Sequence, residues 1–526
     1  MIKPFLILAV IATHYLANAQ NSITTSGLLS IDTHWITDTV FLSGDLTINN
    51  GILLTIAPNT KVIAHGYYKI DVKGRLLAIG TPNRFITFTI QDTTDFSDTS
   101  SIRGGWNGIH FENIQTNNDS SILKYCKISY GKAIGQTKKE QSGGAIMIDN
   151  YSKLTIENCE INNNYAAYSG AGIYIHQNSS PKIIKNLIHH NKTPWQGGGI
   201  TCLENSAPLI HQNIIINNSA IGIIIRPPWA VGIGAGGGIY VSSVSQAPMI
   251  SNNLVSNNSS YGGAIYESAN YIKIINNIIV NNSEYGIHNA TQVGEGIYAN
   301  NTICNNIEAG VMSFAPNLTL YNNIIRGNVP VFDPRDPENV DARLNGWPRV
   351  YHNNIGNPIN LSGRGNIDST TLFVRPTQTA GITELGYNAD WRLRSNSPEI
   401  DKGFVNNIAA FIGDKDVFGN PRIVGNAIDI GAVEYSPIST ISITQEHPNI
   451  KVYPNPFTNQ LWIEVEHSSA TLTYHIFAIN GQLIDSQLIS NGINLIQMAD
   501  FSNGTYLMHI RETTGKQLFS TKLVKM

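Results

Sequence analysis

The chain has few charged residues, no basic excess and no long apolar stretch in its mature part, and each shortage excludes a class of protein. Charged residues make up 13% of the 526 residues, against about 25% in an ordinary soluble domain. The formal net charge of −3 gives no basic field that would predict nucleic-acid binding. Because no mature segment approaches ~20 consecutive apolar residues, the sequence predicts no transmembrane segment there.

Cysteine is also scarce. The chain has 4 cysteines, which are Cys126, Cys159, Cys202 and Cys304. No Cys-x-x-Cys or Cys/His spacing indicates a zinc site, and no other residue pattern supports calcium. The sequence therefore predicts no metal site and no cofactor.

The N-terminus has the features of an export signal. Lys3 precedes the apolar residues 5–12, and residues 17–19 read Ala-Asn-Ala. A positive start, a short apolar region and a small-residue cleavage site predict a secretory signal peptide over residues 1–19.

Asparagine is abundant and periodic in the middle of the chain. The pattern Asn-x-Ile-x-x-Asn, followed by a glycine-rich step and another Ile, recurs with its first Asn at Asn186, Asn213, Asn253, Asn277, Asn301 and Asn323. That Asn returns after 27, 40, 24, 24 and 22 residues. Self-similarity with this period predicts stacked repeats, each too short to bury its own apolar face.

The residues between the asparagines alternate as strands do, with Ile173 and Ile175 inward and Tyr174 and His176 outward. Short strands stacked in register predict a parallel β-solenoid with two inward apolar rows. One row comprises Ile161, Ile188, Ile215, Val255, Ile279, Ile303 and Ile325, and the other Ile146, Ile173, Ile200, Ile239, Ile265, Ile287 and Val311. A ladder is predicted at Asn164, Asn191, Asn218, Asn258, Asn282, Asn306 and Asn328, because Asn tolerates turn geometry and can bond the amide above it.

These repeats resemble the right-handed parallel β-helix proteins of the pectin-lyase-like superfamily, over residues 27–434. The resemblance implies an all-β chain, with a cap and first rungs at 20–115 and an Asn-ladder solenoid at 116–360. It leaves the activity open, since the superfamily includes lyases, hydrolases and adhesins. The alignment also places Cys126 and Cys159 one rung apart, where either a disulfide or two stacked buried thiols would fit.

Residues 361–440 carry a second resemblance. The clusters Asp390-Trp-Arg-Leu393, Ser397-Pro-Glu-Ile-Asp-Lys-Gly403, Gly419-Asn-Pro-Arg422 and Ile428-Asp-Ile-Gly-Ala-Val-Glu434 look like the terminal module of choice-of-anchor Q proteins. This resemblance implies a surface protein with an interchangeable anchor. Asp401, Arg422 and Asp429 are predicted to form a structural polar network that closes the end of the solenoid.

Residues 441–526 lose the asparagine repeat and read as short antiparallel strands. The opening Tyr453, Pro454, Asn455 and Pro456 and the closing Lys522-Leu-Val-Lys525 resemble the C-terminal sorting domain of type IX secretion, found in the Bacteroidetes. The resemblance implies a small antiparallel β-sandwich recognised by the type IX translocon, and a location at the cell surface or outside the cell. The chain is predicted to be a monomer. The alternative is an ordinary carbohydrate-binding β-sandwich.

One outward row offers a binding surface. Alignment places Tyr174, Tyr240, Tyr266 and His288 on one stripe, flanked by Trp195 and Trp229 near an insert at 219–235. Aromatic faces at this spacing are suited to stacking on the sugar rings of an extracellular polysaccharide, although outward tyrosines are also ordinary strand residues.

Catalytic candidates are fewer. Arg226 with Lys273 would supply the cation and base that a β-helix lyase needs, and Glu204 with Glu267 would supply the carboxylate pair of a hydrolase. Neither pair has a spacing that defines a site. The sequence therefore favours a surface protein that binds polysaccharide or another surface, with a polysaccharide lyase or hydrolase, or a purely structural protein, as alternatives.

Overall fold

The computed structural model describes residues 21–226, 229–242, 246–328, 341–356, 363–405, 408–436, 449–466, 472–478, 482–512 and 517–525. The predicted signal peptide at 1–19 lies outside these ranges. Strands dominate the described chain, and its one helical element is a 3-10 turn at Gly386–Asn388. Within the same ranges, no helix is long and apolar enough to cross a membrane.

The first part of the chain winds into a solenoid whose rungs have three faces, each a parallel sheet, because each strand bonds its counterpart in the next rung. Face A comprises Ile70–Val72, Ile109–Glu112, Ile146–Asp149, Ile173–His176, Ile200–Cys202, Ile239–Ser242, Ile265–Ser268, Ile287–Asn289, Val311–Ser313 and Ala342–Leu344. Face B comprises Thr33–Trp35, Leu53–Ile56, Arg75–Ile79, Ser121–Lys124, Leu154–Glu157, Lys182–Ile184, Leu209–His211, Met249–Ser251, Tyr271–Ile275, Glu295–Ala299, Thr319–Tyr321 and Arg349–Tyr351.

Face C comprises Lys61–Ala64, Ile86–Ile90, Cys126–Ser129, Glu160–Asn162, Leu187–His189, Ile214–Ile216, Leu254–Ser256, Ile278–Val280, Thr302–Cys304, Ile324–Arg326 and Asn354–Ile355. Two longer strands begin the solenoid. Ser22–Leu29 pairs with Thr39–Ile48, and Thr39–Ile48 pairs with the first strands of both face C and face A. Short strands at the C–A corner are Lys132–Ala133, Tyr165–Ala166, Lys192–Thr193, Ser219–Ala220 and Ser259–Ser260. The 219–235 insert forms an antiparallel hairpin, Gly222–Arg226 with Trp229–Ile233.

The predicted inward rows are confirmed. Ile188, Ile215, Val255 and Ile279 lie in successive face C strands, and each is 0% exposed. Burying an isoleucine contributes about 2 kcal/mol, and the rungs share this burial because no rung encloses its own face. The four cysteines are buried free thiols, and the Cys126 amide donates to Cys159 Sγ at 3.4 Å.

The asparagine ladder is confirmed, and a second ladder accompanies it. At the C–A corner, Asn191 Nδ2 donates to Asn218 Oδ1 at 2.9 Å, and Asn218 repeats the bond to Asn258 at 3.1 Å. At the B–C corner, Asn186 and Asn213 begin an equivalent inward stack. Both ladders satisfy buried backbone groups at the turns, where no strand partner is in reach.

Many of the inward asparagines are directly preceded by a second asparagine whose side chain points outward. Asn257, Asn281 and Asn305 have positive φ of 56°, 54° and 55°, a conformation that Asn tolerates. Their amides donate to the backbone of residues 377–384, with Asn281 reaching Gly381 O at 2.9 Å. Outward asparagines at the B–C corner donate in the same way to the backbone of Phe404, Ile412, Asp416 and Asp429.

The backbone acceptors of these bonds belong to a strap, residues 363–405 and 408–436, that runs back along the outside of face C. It contains the strand pair Phe373–Arg375 and Asp390–Leu393. Phe373, Trp391, Ile430 and Val433 of the strap pack on the outward side chains of face C, which include Ile278, Val280 and Ile324. The strap therefore covers an apolar outer surface.

The predicted polar network forms, but beside the solenoid and not across its end. Buried Arg422 pairs with Glu434 at 3.1 Å, and Asp429 accepts the Asp401 amide at 2.8 Å. Asn300 donates to the backbone of Asp429 at 3.2 Å, which fixes the network to the B–C corner. Repeat patterns define rungs and carry no information about where a following segment folds back, so the sequence missed this placement.

The C-terminal residues form the predicted antiparallel sandwich. One sheet comprises Asn449–Tyr453, Gln460–Glu466 and Gly492–Gln497, and the other Leu472–Ala478, Leu483–Ile489, Gly504–Glu512 and Gln517–Lys525. Its own core is separate from that of the solenoid and includes Leu461, Ile463, Ile476 and Met508.

Candidate functional site

The outward row of face A follows the predicted register. Tyr174, Thr201, Tyr240, Tyr266 and His288 are Cα partners in successive strands. Because neighbouring strands lie about 4.8 Å apart, their side chains are close enough to stack. The backbone thus places these residues on one line, and the rotamers decide what surface they present.

The rings form a continuous aromatic path towards the C-terminal rungs. Tyr240 and Tyr266 stack with centroids 5.0 Å apart and planes at 3°. His288 meets Tyr266 edge-on at 5.1 Å and Tyr285 at 5.1 Å. Phe314 continues the path 6.1 Å from His288. Such offset and edge-on contacts hold the rings in fixed orientations.

The outward row was predicted to offer a binding surface, but its N-terminal part is covered. Tyr174 and Tyr240 are only 5% and 8% exposed, because each outward ring is covered by its neighbours and Gln196 Nε2 bonds the Tyr240 hydroxyl at 3.1 Å. Burial raises the pKa of Tyr240 to about 12. Tyr266 and His288 are half-buried, and Phe314 is 42% exposed. The accessible end of the row is therefore the C-terminal one.

The flanking tryptophans and the arginine lie near the C–A corner. Trp195 is 37% exposed and tilts against Tyr168 at 6.1 Å. Arg226 and Trp229 are opposite each other at the tip of the hairpin, and their side chains lie outside the described part of the structure.

Lys273 does not share that location. It lies on face B, with Nζ 5.1 Å from the Phe411 ring centroid. Beside it is an open depression of about 290 Å³ lined by Ala247, Tyr271, Ile272, Lys273, Glu295 and Ile297. The hairpin that carries Arg226 leaves the C–A corner, so the fold does not bring Arg226 and Lys273 onto one face.

The two glutamates predicted as a pair are on opposite sides of the face A wall. Glu267 points into the solenoid, is 0% exposed, and accepts from the Tyr298 hydroxyl at 2.6 Å and the Ala269 amide at 2.9 Å. Burial raises the pKa of Glu267 to about 7. Glu204 faces outward, with Oε2 3.2 Å from His176 Nε2. The two carboxyl groups therefore cannot flank one substrate.

Glu204 belongs instead to a charged cluster on the N-terminal part of face A. His176 is held between Glu204 and Asp149, and Asp149 also binds Lys139. The hydrogen bond to Asp149 raises the pKa of His176. A hydrogen bond from His110 lowers the pKa of Glu112, beside Lys139, to about 2. Each charge has an opposite partner, which is the pattern of a stabilising ion-pair network.

A second acidic group lies beside the accessible end of the aromatic row. Glu284 and Glu308 occupy equivalent positions in adjacent rungs, and the Glu308 amide is 3.5 Å from the Glu284 carbonyl oxygen. Burial, and then repulsion from Glu308, raise the pKa of Glu284 to about 7. Arg343 Nη1 lies 3.9 Å from Glu308 Oε2. Sequence reasoning missed this group, although both glutamates follow ladder asparagines at the same offset of two residues.

The sorting-motif residues join the two ends of the tail. Tyr453 ends the first tail strand, and Asn455 Oδ1 accepts the Val524 amide of the last strand at 2.9 Å.

Among the residues whose placement the structure describes, no cluster of three or more His, Cys, Asp or Glu side chains is arranged to hold a metal ion.

Comparisons with known proteins agree with this architecture. A family model described as the right handed beta helix region matches residues 101–302, and one described as the secretion system C-terminal sorting domain matches residues 451–526. The chain therefore carries a right-handed parallel β-helix followed by a type IX sorting domain. That domain indicates export across the outer membrane to the cell surface or extracellular space.

No curated protein matches the sequence. Among solved structures, the crystal structure of pectate lyase Pel9A is similar, with 14% identity and a TM-score of 0.41 over 74% of this chain and 89% of that chain. A likeness at this level carries no argument about activity.

Proposed function

We propose that this exported β-helix protein acts as a monomer that binds an extracellular polysaccharide on face A, at the C-terminal end of the aromatic row. The observation that carries the proposal is the continuous path of Tyr240, Tyr266, His288 and Phe314, whose last three members reach solvent. Aromatic rings fixed in orientation by their neighbours can stack on sugar rings with little loss of side-chain entropy.

Earlier parts of the same row have a supporting role in this proposal. Tyr240 is covered and holds the Tyr266 ring parallel to its own, and Trp195 provides a further exposed ring near the C–A corner. The anchoring role that the choice-of-anchor Q resemblance implies for residues 361–440 is part of the same proposal of a surface protein.

The binding test uses the full chain in affinity gels cast with acidic and neutral polysaccharides. Replacing Tyr266 by Ala removes the first accessible ring of the path, and stacking of this kind is worth about 1 kcal/mol, so retention should weaken about fivefold. The matched control is Tyr271→Ala, because Tyr271 is 51% exposed but lies on face B. Equal loss in both variants, or no loss in either, would reject the face A site.

A hydrolytic activity is the second candidate, supported by Glu284 and Glu308. A carboxyl group with a pKa near 7 can donate a proton at neutral pH while a neighbouring carboxylate stays ionised, which is the division of labour in glycoside hydrolysis. The pair lies beside the proposed sugar platform, where Tyr285 contacts His288.

The activity test incubates the full chain with the same polysaccharides and follows both reducing ends and unsaturated products. A hydrolase would produce new reducing ends without unsaturated products that absorb ultraviolet light. A lyase would produce both. Glu284→Gln and Glu308→Gln should each abolish hydrolysis, while Glu295→Gln on face B should not. Binding without either product supports a binding protein and removes the second candidate.

A further inference from the structure

One sheet of the sorting domain carries an apolar outer face that its own fold does not use. Along Gln460–Glu466, Leu461, Ile463 and Val465 enter the core of the sandwich, so Trp462 between them points away from it. In register beside Trp462 are Tyr453 on one neighbouring strand and Leu495 on the other. Trp462 is nonetheless only 1% exposed, so something outside the sandwich covers it.

The cover is the outer surface of face C. Trp462 and Leu495 form one apolar cluster with Ile216 of the solenoid and Tyr387 of the strap, and Leu187, Ile214 and Leu254 border it. The Trp462 ring centroid is 6.1 Å from that of Tyr387 and 6.4 Å from that of His189. Leu187, Ile214 and Leu254 are Cα partners in adjacent rungs, so they form a continuous apolar row.

Directional hydrogen bonds fix the contact. The Asn388 side chain accepts the Leu495 amide at 2.9 Å and donates to the Leu495 carbonyl oxygen at 3.3 Å. Arg375 donates to the Ser490 hydroxyl at 3.1 Å. Asn388 therefore pairs with the backbone of a sheet edge much as a neighbouring strand would, which sets the orientation of the sorting domain on the strap.

The row on face C explains why this contact exists. Its outward residues from Leu187 to Ile324 are mostly apolar, with Thr302 as a polar member. The strap covers the later ones, including Ile278, Val280 and Ile324. The sorting domain covers the earlier ones, where the strap turns back at Gly386–Asn388. Exposed apolar surface of this kind is a site of association.

We propose that the sorting domain is a docked cover of the solenoid and not a freely tethered tag. Through Trp462, Leu495 and Tyr453 it masks an apolar patch centred on Ile216 and Tyr387. Undocking or release of the tail would therefore uncover this patch.

The test follows hydrogen exchange of the Leu495 amide in the full chain, because its hydrogen bond crosses the contact. Trp462→Ala removes the central aromatic anchor, and loss of such an anchor should shift the docking equilibrium about 30-fold towards the undocked state. Ile216→Ala weakens the same contact from the solenoid side and leaves the tail unchanged. Leu483→Ala is the control, since Leu483 is 49% exposed on the opposite sheet.

Faster exchange of Leu495 in both Trp462→Ala and Ile216→Ala, with the control unchanged and the Leu461–Val465 amides still protected, would support docking. Unchanged exchange in both variants would overturn it. If Trp462→Ala also exposes the Leu461–Val465 amides, the tail itself has lost its fold, and Ile216→Ala then decides between the two outcomes.

Discussion

Faces A and C have the same inward rows of isoleucine but differ in what they turn outward. The outward row of face C from Leu187 to Ile324 is aliphatic except for Thr302, and the strap and the sorting domain cover it. The outward row of face A is aromatic and charged, and its C-terminal end reaches solvent at Tyr266 and Phe314. One repeat therefore supplies both an attachment surface and an open surface, depending on a few outward positions in each rung.

The largest expected effect comes from breaking the cover of face C. Arg422 is buried against Glu434, with Asp416 and Asp429 nearby. Replacing Arg422 by Met leaves buried carboxylates without a counter-charge, so we expect the free energy of unfolding to fall by about 3–5 kcal/mol. Chemical denaturation followed by tryptophan fluorescence measures this, since Trp391 lies in the strap.

The control for that variant is Arg349→Met, because Arg349 is exposed on face B. Its stability should stay within about 0.5 kcal/mol of the wild type. Equal stability of the two variants would mean that the strap is not held by its buried charges.

The buried Glu267 on the inner side of face A should make the free energy of unfolding depend on pH. Glu267 has a pKa of about 7 when folded, because it is buried, against an ordinary 4.5. Between these values the folded chain keeps a proton that the unfolded chain has lost, so stability falls as pH rises through the window. The total loss is about 3 kcal/mol.

Glu267→Gln should abolish that contribution. Thermal unfolding of wild type and variant at pH 5 and pH 8 gives the comparison, and the wild type should lose stability relative to the variant at the higher pH. A constant difference between them would show that Glu267 does not titrate in this range.

At the C–A corner, two asparagines adjacent in the chain have different roles: Asn282 points into the solenoid, and Asn281 before it points outward. Asn282 accepts the Asn258 amide at 2.9 Å and donates to Asn306 at 2.9 Å, wholly inside the solenoid. Asn282→Ala should lower the free energy of unfolding by about 2 kcal/mol, since buried partners remain unsatisfied. Asn281→Ala should instead speed hydrogen exchange at residues 379–381 of the strap, which Asn281 binds. The comparison fails if the two variants behave alike.

This pairing also shows where sequence reasoning succeeded and where it stopped. The inward rows and the ladder followed from period and residue type, because a buried Ile or Asn has the same neighbours in every rung. The outward asparagines looked like more of the same repeat, yet they bind a segment about 100 residues later in the chain. A contact of that sequence separation leaves no local pattern.

For the candidate site, too, the sequence predicted some features and could not predict others. Strand alternation put Tyr174, Tyr240, Tyr266 and His288 on one line, but alternation cannot tell an exposed ring from one covered by its neighbours. The same alternation assigns Glu267, which follows outward Tyr266, to the inward side, so the sequence could have excluded its pairing with Glu204. The group of Glu284 and Glu308 lies at a corner, where the strand period does not apply.

The smallest expected effect is at the covered part of the row on face A. Tyr240→Phe removes the hydroxyl that Gln196 donates to, so stability should fall by about 1 kcal/mol. Polysaccharide retention should not change, because Tyr240 is nearly buried. Weaker retention in Tyr240→Phe would extend the binding surface towards the N-terminal rungs.

The difference between the two faces is tested most directly by hydrogen exchange of the full chain with and without a polysaccharide that it retains. The account predicts added protection confined to face A, in Ile265–Ser268, Ile287–Asn289 and Val311–Ser313, with no change on faces B and C. Protection centred on Tyr271–Ile275 of face B, or on the strap, would contradict it.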